Sequence, residues 1–458
     1  MMMLSQAAKV LGARLIGADA EFTSVSTDSR KLEKGCLFVA LRGENFDGAK
    51  FVDAAARDGA AAALVNAAGY AGNAVCPVLL VDDTRLALGQ LAAHWRDRFD
   101  IPLVGLTGSN GKTTVKEMLA SILAEQTGSA DSVLATRGNL NNDIGMPLTL
   151  LGLGVRHRYA VIEMGMNHTG EIDYLTRIAR PDVALVNNAS GAHLAGLGTV
   201  ENVARAKGEI FTGLGAAGIA VVNADDPHAG LWRDLARPHR VITFALDAEA
   251  DVSACWDVTA FGIRMELATP DGNAVVQLQV PGAHNARNAL AAAAAALALR
   301  IPLPAIVSGL DKFTGVAGRL QRKRARHGAV VIDDTYNANP ASMKAAVSVL
   351  AQAPGRRILV IGDMGELGAD APRLHAEVGA YARAAGIERM FALGDLSREA
   401  VQAFGAGARH FDTLEELCRV LDADLAPGMT VLVKGSRFMK MERVVGSCIE
   451  GEDACCSH

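Results

Sequence analysis

Residues 103–123, LVGLTGSNGKTTVKEMLASIL, constrain the fold more than any other stretch of the chain. Leu103 to Leu106 form an apolar run of strand length, and from Val115 to Leu123 apolar residues recur at helical spacing. The segment between them therefore lies at a strand-to-helix junction. There, backbone N–H groups and the positive end of a helix can hold phosphate. The usual phosphate-loop pattern puts a glycine six residues before the lysine, where this chain has Leu106, so the spacing predicts a shortened loop. Gly108, Ser109, Asn110, Gly111, Lys112, Thr113 and Thr114 are the expected nucleotide-binding residues. The two glycines allow close backbone approach, Lys112 can reach a terminal phosphate, and the Thr113 hydroxyl suits a Mg²⁺ position.

Around this junction, short β-branched runs alternate with alanine-rich stretches of helical length, the pattern of parallel α/β layers. At 458 residues the chain has room for about three domains, each with its own core. The pattern divides at 1–82, 83–315 and 316–458. Strands are expected at CLFVAL in the first unit and at PLVGLT, YAVIEM, DVALVNN and GIAVVN in the second. In the third they are expected at AVVIDD, RILVIGD, MFALGD and TVLVKG. Ligands of such sheets gather at the carboxyl ends of the strands.

Composition removes several alternatives. A net charge of −5 without any dense Lys/Arg run gives no footprint for nucleic acid, and 5% aromatics are too few for a base-stacking platform. The longest apolar run, Ala289 to Leu299, is too short to cross a bilayer, so no stable membrane insertion is expected. Seven scattered cysteines and a start unlike a signal peptide point to a cytoplasmic protein with free thiols. Cys448, Cys455, Cys456 and His458 read as part of a mobile tail rather than a metal site.

TGSNGKTT resembles the ATP loop of the Mur ligases and folylpolyglutamate synthases, which share T-G-[ST]-N-G-K-[ST]. EMGMNHTGEI, NNASGAHLAGLGTVENVARAKGEIF, GAHNARNALAA and DDTYNANPASM follow in the same order as in the Mur ligases, and the similarity runs from STDSR to KGSR. The resemblance implies a three-domain α/β architecture with a central P-loop ATPase domain and a Rossmann-like C-terminal domain. It implies an ATP-dependent ligase that joins D-alanyl-D-alanine to UDP-N-acetylmuramoyl-tripeptide through an acyl phosphate, acting as a monomer. A sister amino-acid ligase and, from another class, a P-loop NTPase switch stay open as alternatives.

Residue roles follow from that resemblance. Glu163, ending the strand YAVIE, and His193 are implied Mg²⁺ ligands at two sites, with Lys112, Glu163, His193 and Lys207 as the catalytic set. Lys207 reads by default as a solvated cation on a helix face. In most Mur ligases the matching lysine is carbamylated, which requires a neutral amine. Asn285 and Asn288 share one helix face and are implied adenine contacts, although Asn285 could equally cap the helix. Arg319 is implied to reach the phosphates and Asp334 the ribose. Ser29, Arg30, Arg42 and Phe46 are expected at the uridine-nucleotide end, and Asn139 and Asn142 in a loop facing the same cleft. Tyr336 and Asn337 are expected at the dipeptide, with Lys434 and Arg437 near its carboxylate. Asn339, ahead of Pro340, reads as a helix cap.

Overall fold

The computed structural model describes residues 1–43, 46–70, 72, 75–191, 194–259 and 262–449. Each expected strand forms. Those of the central unit are nearly fully buried, as near-continuous apolar runs must be in a sheet covered on both faces.

The central sheet has nine strands. In spatial order these are Val133–Ala135, Tyr159–Glu163, Leu103–Thr107, Val183–Val186, Ile219–Asn223, Arg240–Ala245, Val252–Thr259, Gly262–Thr269 and Gly272–Leu278. The first seven run parallel. The last two, which the expected strands did not include, are antiparallel. A two-residue link cannot make a parallel crossover, and short links join these strands. The chain leaves Leu103–Thr107 with Tyr159–Glu163 on one side and Val183–Val186 on the other, so the glycine loop opens where strand order reverses.

The first unit is a five-stranded sheet, parallel except for Arg14–Ile16. The third is six-stranded and parallel except for Gln321–Arg324. The first unit keeps one small core of its own around Phe38 and Val65, and shares the core on the other face of its sheet. Helix Thr84–Arg96 buries Leu88 and Leu91, and it packs on helices Leu4–Leu11, Gly145–Leu151 and Glu171–Ala179. One apolar cluster thus continues from Met2 to Ala236. On the opposite face of the central sheet, helix Lys112–Thr127 lies against Ala283–Ala298. The alanines of the second helix allow that close approach.

The C-terminal expectation is corrected in part. Cys448 ends helix Glu442–Cys448 and is 1% exposed, packed in the third unit's core, where burial pushes its thiol up to about 11. Cys455, Cys456 and His458 lie outside the described residues. Among the described residues no helix is long and apolar enough to cross a membrane.

Candidate active site

The glycine loop forms one wall of a cleft of about 1390 Å³ shared by the central and third units. Gly111, at φ +79°, sits where the strand exit becomes the helix starting at Lys112. A Cβ there would come within 2.3 Å of Asn288 Oδ1 and 2.6 Å of Asn187 Nδ2, so both space and backbone demand glycine. Lys112 Nζ donates to Gly108 O at 2.7 Å. Burial, reinforced by the Arg319 charge and opposed by Glu163, lowers its pKa.

Glu163 pairs in register with Leu106 on the neighbouring strand, which brings its carboxylate beside the loop. Oε2 accepts from the Thr113 hydroxyl at 2.9 Å and Oε1 from Asn141 Nδ2 at 2.7 Å, while Glu163 N donates to Thr136 Oγ1 at 2.9 Å. The Thr113 oxygen also accepts from Arg319 Nη2 at 2.9 Å. Arg319 lies over the Tyr336 ring at 4.3 Å, and its Nε is buried without a hydrogen-bond partner among the described residues. A buried donor left unpaired is costly, so this guanidinium is poised for an anion.

Lys207 is 1% exposed on helix Val200–Gly208, which corrects the default reading of a solvated cation. Burial, with the nearby Lys112 charge, holds its pKa well below that of an ordinary lysine. It pairs with no carboxylate among the described residues. His193 lies outside the described residues. Among those described, no group of three His, Cys, Asp or Glu could hold a metal.

Asn288 Oδ1 accepts from Asn187 Nδ2 at 3.1 Å, and Asn288 Nδ2 donates to Asn285 Oδ1 at 3.3 Å. Asn285 does not cap the helix: Gly282 does, and Asn285 Nδ2 reaches back to Pro281 O at 2.8 Å. Asp334 is held by Leu320 N and, at 2.7 Å, by Lys434. Its pKa is nevertheless raised, because burial outweighs those partners. Lys434 also donates to Asn337 O at 2.9 Å, so two of its three N–H donors are already committed. Arg437 pairs with Glu442 and lines the same cleft as Tyr336, Asn337 and Asn139. Asn142 lines it too, its Oδ1 accepting from Gly145 N at 2.8 Å.

The uridine-end residues are not brought here. Ser29, Arg30 and Arg42 lie on the first unit, away from the cleft lining. Arg30 is exposed and forks onto Asp28 at 2.9 Å. Phe46 belongs to a short strand, Phe46–Asp47, but its side chain lies outside the described residues.

Sequence reasoning missed several residues. Asn141, not its neighbours Asn139 or Asn142, holds Glu163, and nothing in RGNLNND marks which asparagine turns inward. Asn187 and Asn188 were visible only as a polar strand exit, yet both donate to Asn110 O at 3.0 Å. His284, also in the cleft, is lowered to about 4 by burial and the charges of Lys434 and Arg287.

Family models agree with this architecture. The Mur ligase family catalytic domain matches residues 21–96, the Mur ligase middle domain 106–296 and the Mur ligase glutamate ligase domain 318–437. The chain is 46% identical to the UDP-N-acetylmuramoyl-tripeptide–D-alanyl-D-alanine ligase of Escherichia coli, covering 96% of this chain and 97% of that one. To the Bacillus subtilis enzyme of that name it is 36% identical, covering 93% of each. It also superimposes on a crystal structure of MurF from Acinetobacter baumannii with TM-score 0.89 and 38% identity, covering 96% of this chain and 97% of that one. For the Thermotoga maritima MurF ligase in complex with ADP the TM-score is 0.81 at 28% identity, with 93% and 96% covered. With all three of its domains matched and near-complete relatives well above 30% identity, this chain belongs to the Mur ligase family.

Proposed function

We propose that this protein uses ATP to join D-alanyl-D-alanine to UDP-N-acetylmuramoyl-tripeptide, as a monomer in the cytoplasm, in peptidoglycan precursor synthesis. The cleft between the central and third units carries the proposal. In it, Lys112 and Glu163 of the central unit face Tyr336, Asn337, Lys434 and Arg437 of the third. We take the units as 1–82, 83–315 and 316–458.

The terminal carboxylate of the tripeptide attacks the γ-phosphorus of ATP. The bond to the β–γ bridging oxygen breaks, releasing ADP and leaving an acyl phosphate. The dipeptide amine then attacks the acyl carbon, the C–O bond to phosphate breaks, and the amine gives up a proton as phosphate departs. Holding these groups together in one cleft is the main contribution the protein can make. In the loop Gly108–Thr114, backbone N–H groups from Gly111 onward cradle the phosphates, whereas those of Ser109 and Asn110 are held by Asn188. Lys112, released from Gly108 O, and Arg319, whose Nε is unpartnered, balance charge on the migrating group. Asn285 and Asn288 face the adenine and Asp334 the ribose. The one uncommitted N–H of Lys434, together with Arg437, faces the dipeptide carboxylate. Ser29, Arg30, Arg42 and Phe46 serve the uridine end.

The Thr113 hydroxyl and Glu163 carboxylate are hard oxygen donors 2.9 Å apart, the donor type Mg²⁺ takes. They would hold Mg²⁺, with His193 and a carbamylated Lys207 completing two sites. Bound there, the ions neutralise phosphate charge. A buried lysine held toward its neutral form meets the condition for carbamylation.

The test is ADP and phosphate release by the purified protein, with tripeptides ending in lysine or diaminopimelate. Turnover should require both the tripeptide and D-alanyl-D-alanine. Release without any amine would favour an NTPase switch, and acceptance of a single amino acid instead would favour a sister ligase.

A further inference from the structure

Asn339 does two things with one amide. Its Oδ1 accepts from Ser342 N at 2.9 Å and caps helix Pro340–Ala351, as its sequence position predicts. Its Nδ2 donates to Asn110 Oδ1 at 2.8 Å, joining the third unit to the phosphate loop across 229 residues of sequence. Among good cap residues, aspartate has no donor, while serine and threonine carry theirs on a shorter arm. Asparagine is thus the cap that can also reach outward.

Asn110 is a hub. Its Nδ2 donates to Ser190 Oγ at 3.0 Å and its backbone N to Asn188 Oδ1 at 2.8 Å. Its carbonyl accepts from Asn187 Nδ2, which also bonds Asn288. A pull on Asn110 from the third unit is therefore felt along the loop and at the helix carrying Asn288.

We propose that Asn339 is a positioning residue for the phosphate loop, so that the grip on nucleotide depends on the third unit being docked against Asn110. The same helix follows directly on Tyr336 and Asn337, so the segment that would seat the incoming amine and the loop that holds ATP are mechanically one piece. The place of that amine rests on the ligase activity proposed above; the link between Asn339 and the nucleotide does not.

The experiment titrates a non-hydrolysable ATP analogue with Mg²⁺ into the full chain by calorimetry, using wild type, Asn339→Ser, Asn110→Ala and the double variant. Serine keeps the cap, so Asn339→Ser should melt within about 2 °C of wild type. It should bind the analogue about two- to tenfold more weakly, the effect of one hydrogen bond. Asn339→Thr should do the same. The double variant should bind no worse than the weaker single one, the signature of a shared interaction. Unchanged affinity in Asn339→Ser, or losses that simply add, would overturn the proposal. Because binding needs no acceptor, a failure of D-alanyl-D-alanine-dependent turnover in wild type would strike the ligase activity and leave this inference standing.

Discussion

The Thr113 hydroxyl donates to Glu163 Oε2 at 2.9 Å, tying the first turn of the helix after the glycine loop to the end of the neighbouring strand. Glu163 lines the cleft in which the proposed reaction must balance phosphate charge. Glu163→Gln removes the anion while keeping shape and the Asn141 contact. We expect turnover to fall by about 10²–10³-fold, the scale of losing a preorganised electrostatic contact. Steady-state ADP release across a Mg²⁺ titration checks this, and a near-normal rate at ordinary Mg²⁺ would remove Glu163 from the mechanism.

Lys207 is a buried amine held below its ordinary pKa, so protonating it opposes folding. Its contribution to stability is complete above the unfolded value near 10.5 and declines as pH falls from there toward the depressed folded value. Lys207→Met should therefore raise the melting temperature near neutral pH and abolish turnover. Lys207→Ala should recover activity with added short carboxylates if a carbamate is the working form. An inactive Lys207→Ala that acetate and formate both fail to restore would argue against the carbamate.

Gly111 has positive φ, and two amides occupy the space a methyl group would need. Gly111→Ala should cost roughly 1–2 kcal/mol in backbone strain alone. It should also weaken nucleotide binding by more than the Asn288 contact is worth, because Asn288 must move. Isothermal titration with ADP measures the second effect, and wild-type affinity would mean that the loop reshapes freely.

Burial, helped by the charges of Lys434 and Arg287, lowers His284 from its ordinary 6.5 to about 4. Its neutral form is the one the fold accepts. Stability is full above 6.5 and is lost as pH falls through the window toward 4, by at most roughly 3 kcal/mol, since the ring retains some access to the cleft. His284→Gln should flatten the melting-temperature profile between pH 7 and 4. An unchanged profile would show that the ring titrates elsewhere.

Elements whose cause is local were legible in the sequence. The strand Leu103–Thr107, the turn at Gly111 and the helix from Lys112 follow from an apolar run, a residue tolerant of positive φ and helical spacing. The Asn339 cap with Pro340 behind it belongs to the same class. The antiparallel strands Gly262–Thr269 and Gly272–Leu278 were not foreseen, because their alternating exposure is set by what covers each face of the sheet.

The sequence by itself determined that a glycine-rich turn lies between a buried strand and a helix in a layered α/β chain, since backbone geometry and periodicity act over a few residues. Tertiary structure alone decided that Asn141 and not Asn139 holds Glu163, that Lys207 is buried beside Lys112, and that Asn339 reaches Asn110. These depend on burial and on contacts between residues far apart in the chain, and neither is encoded in local spacing.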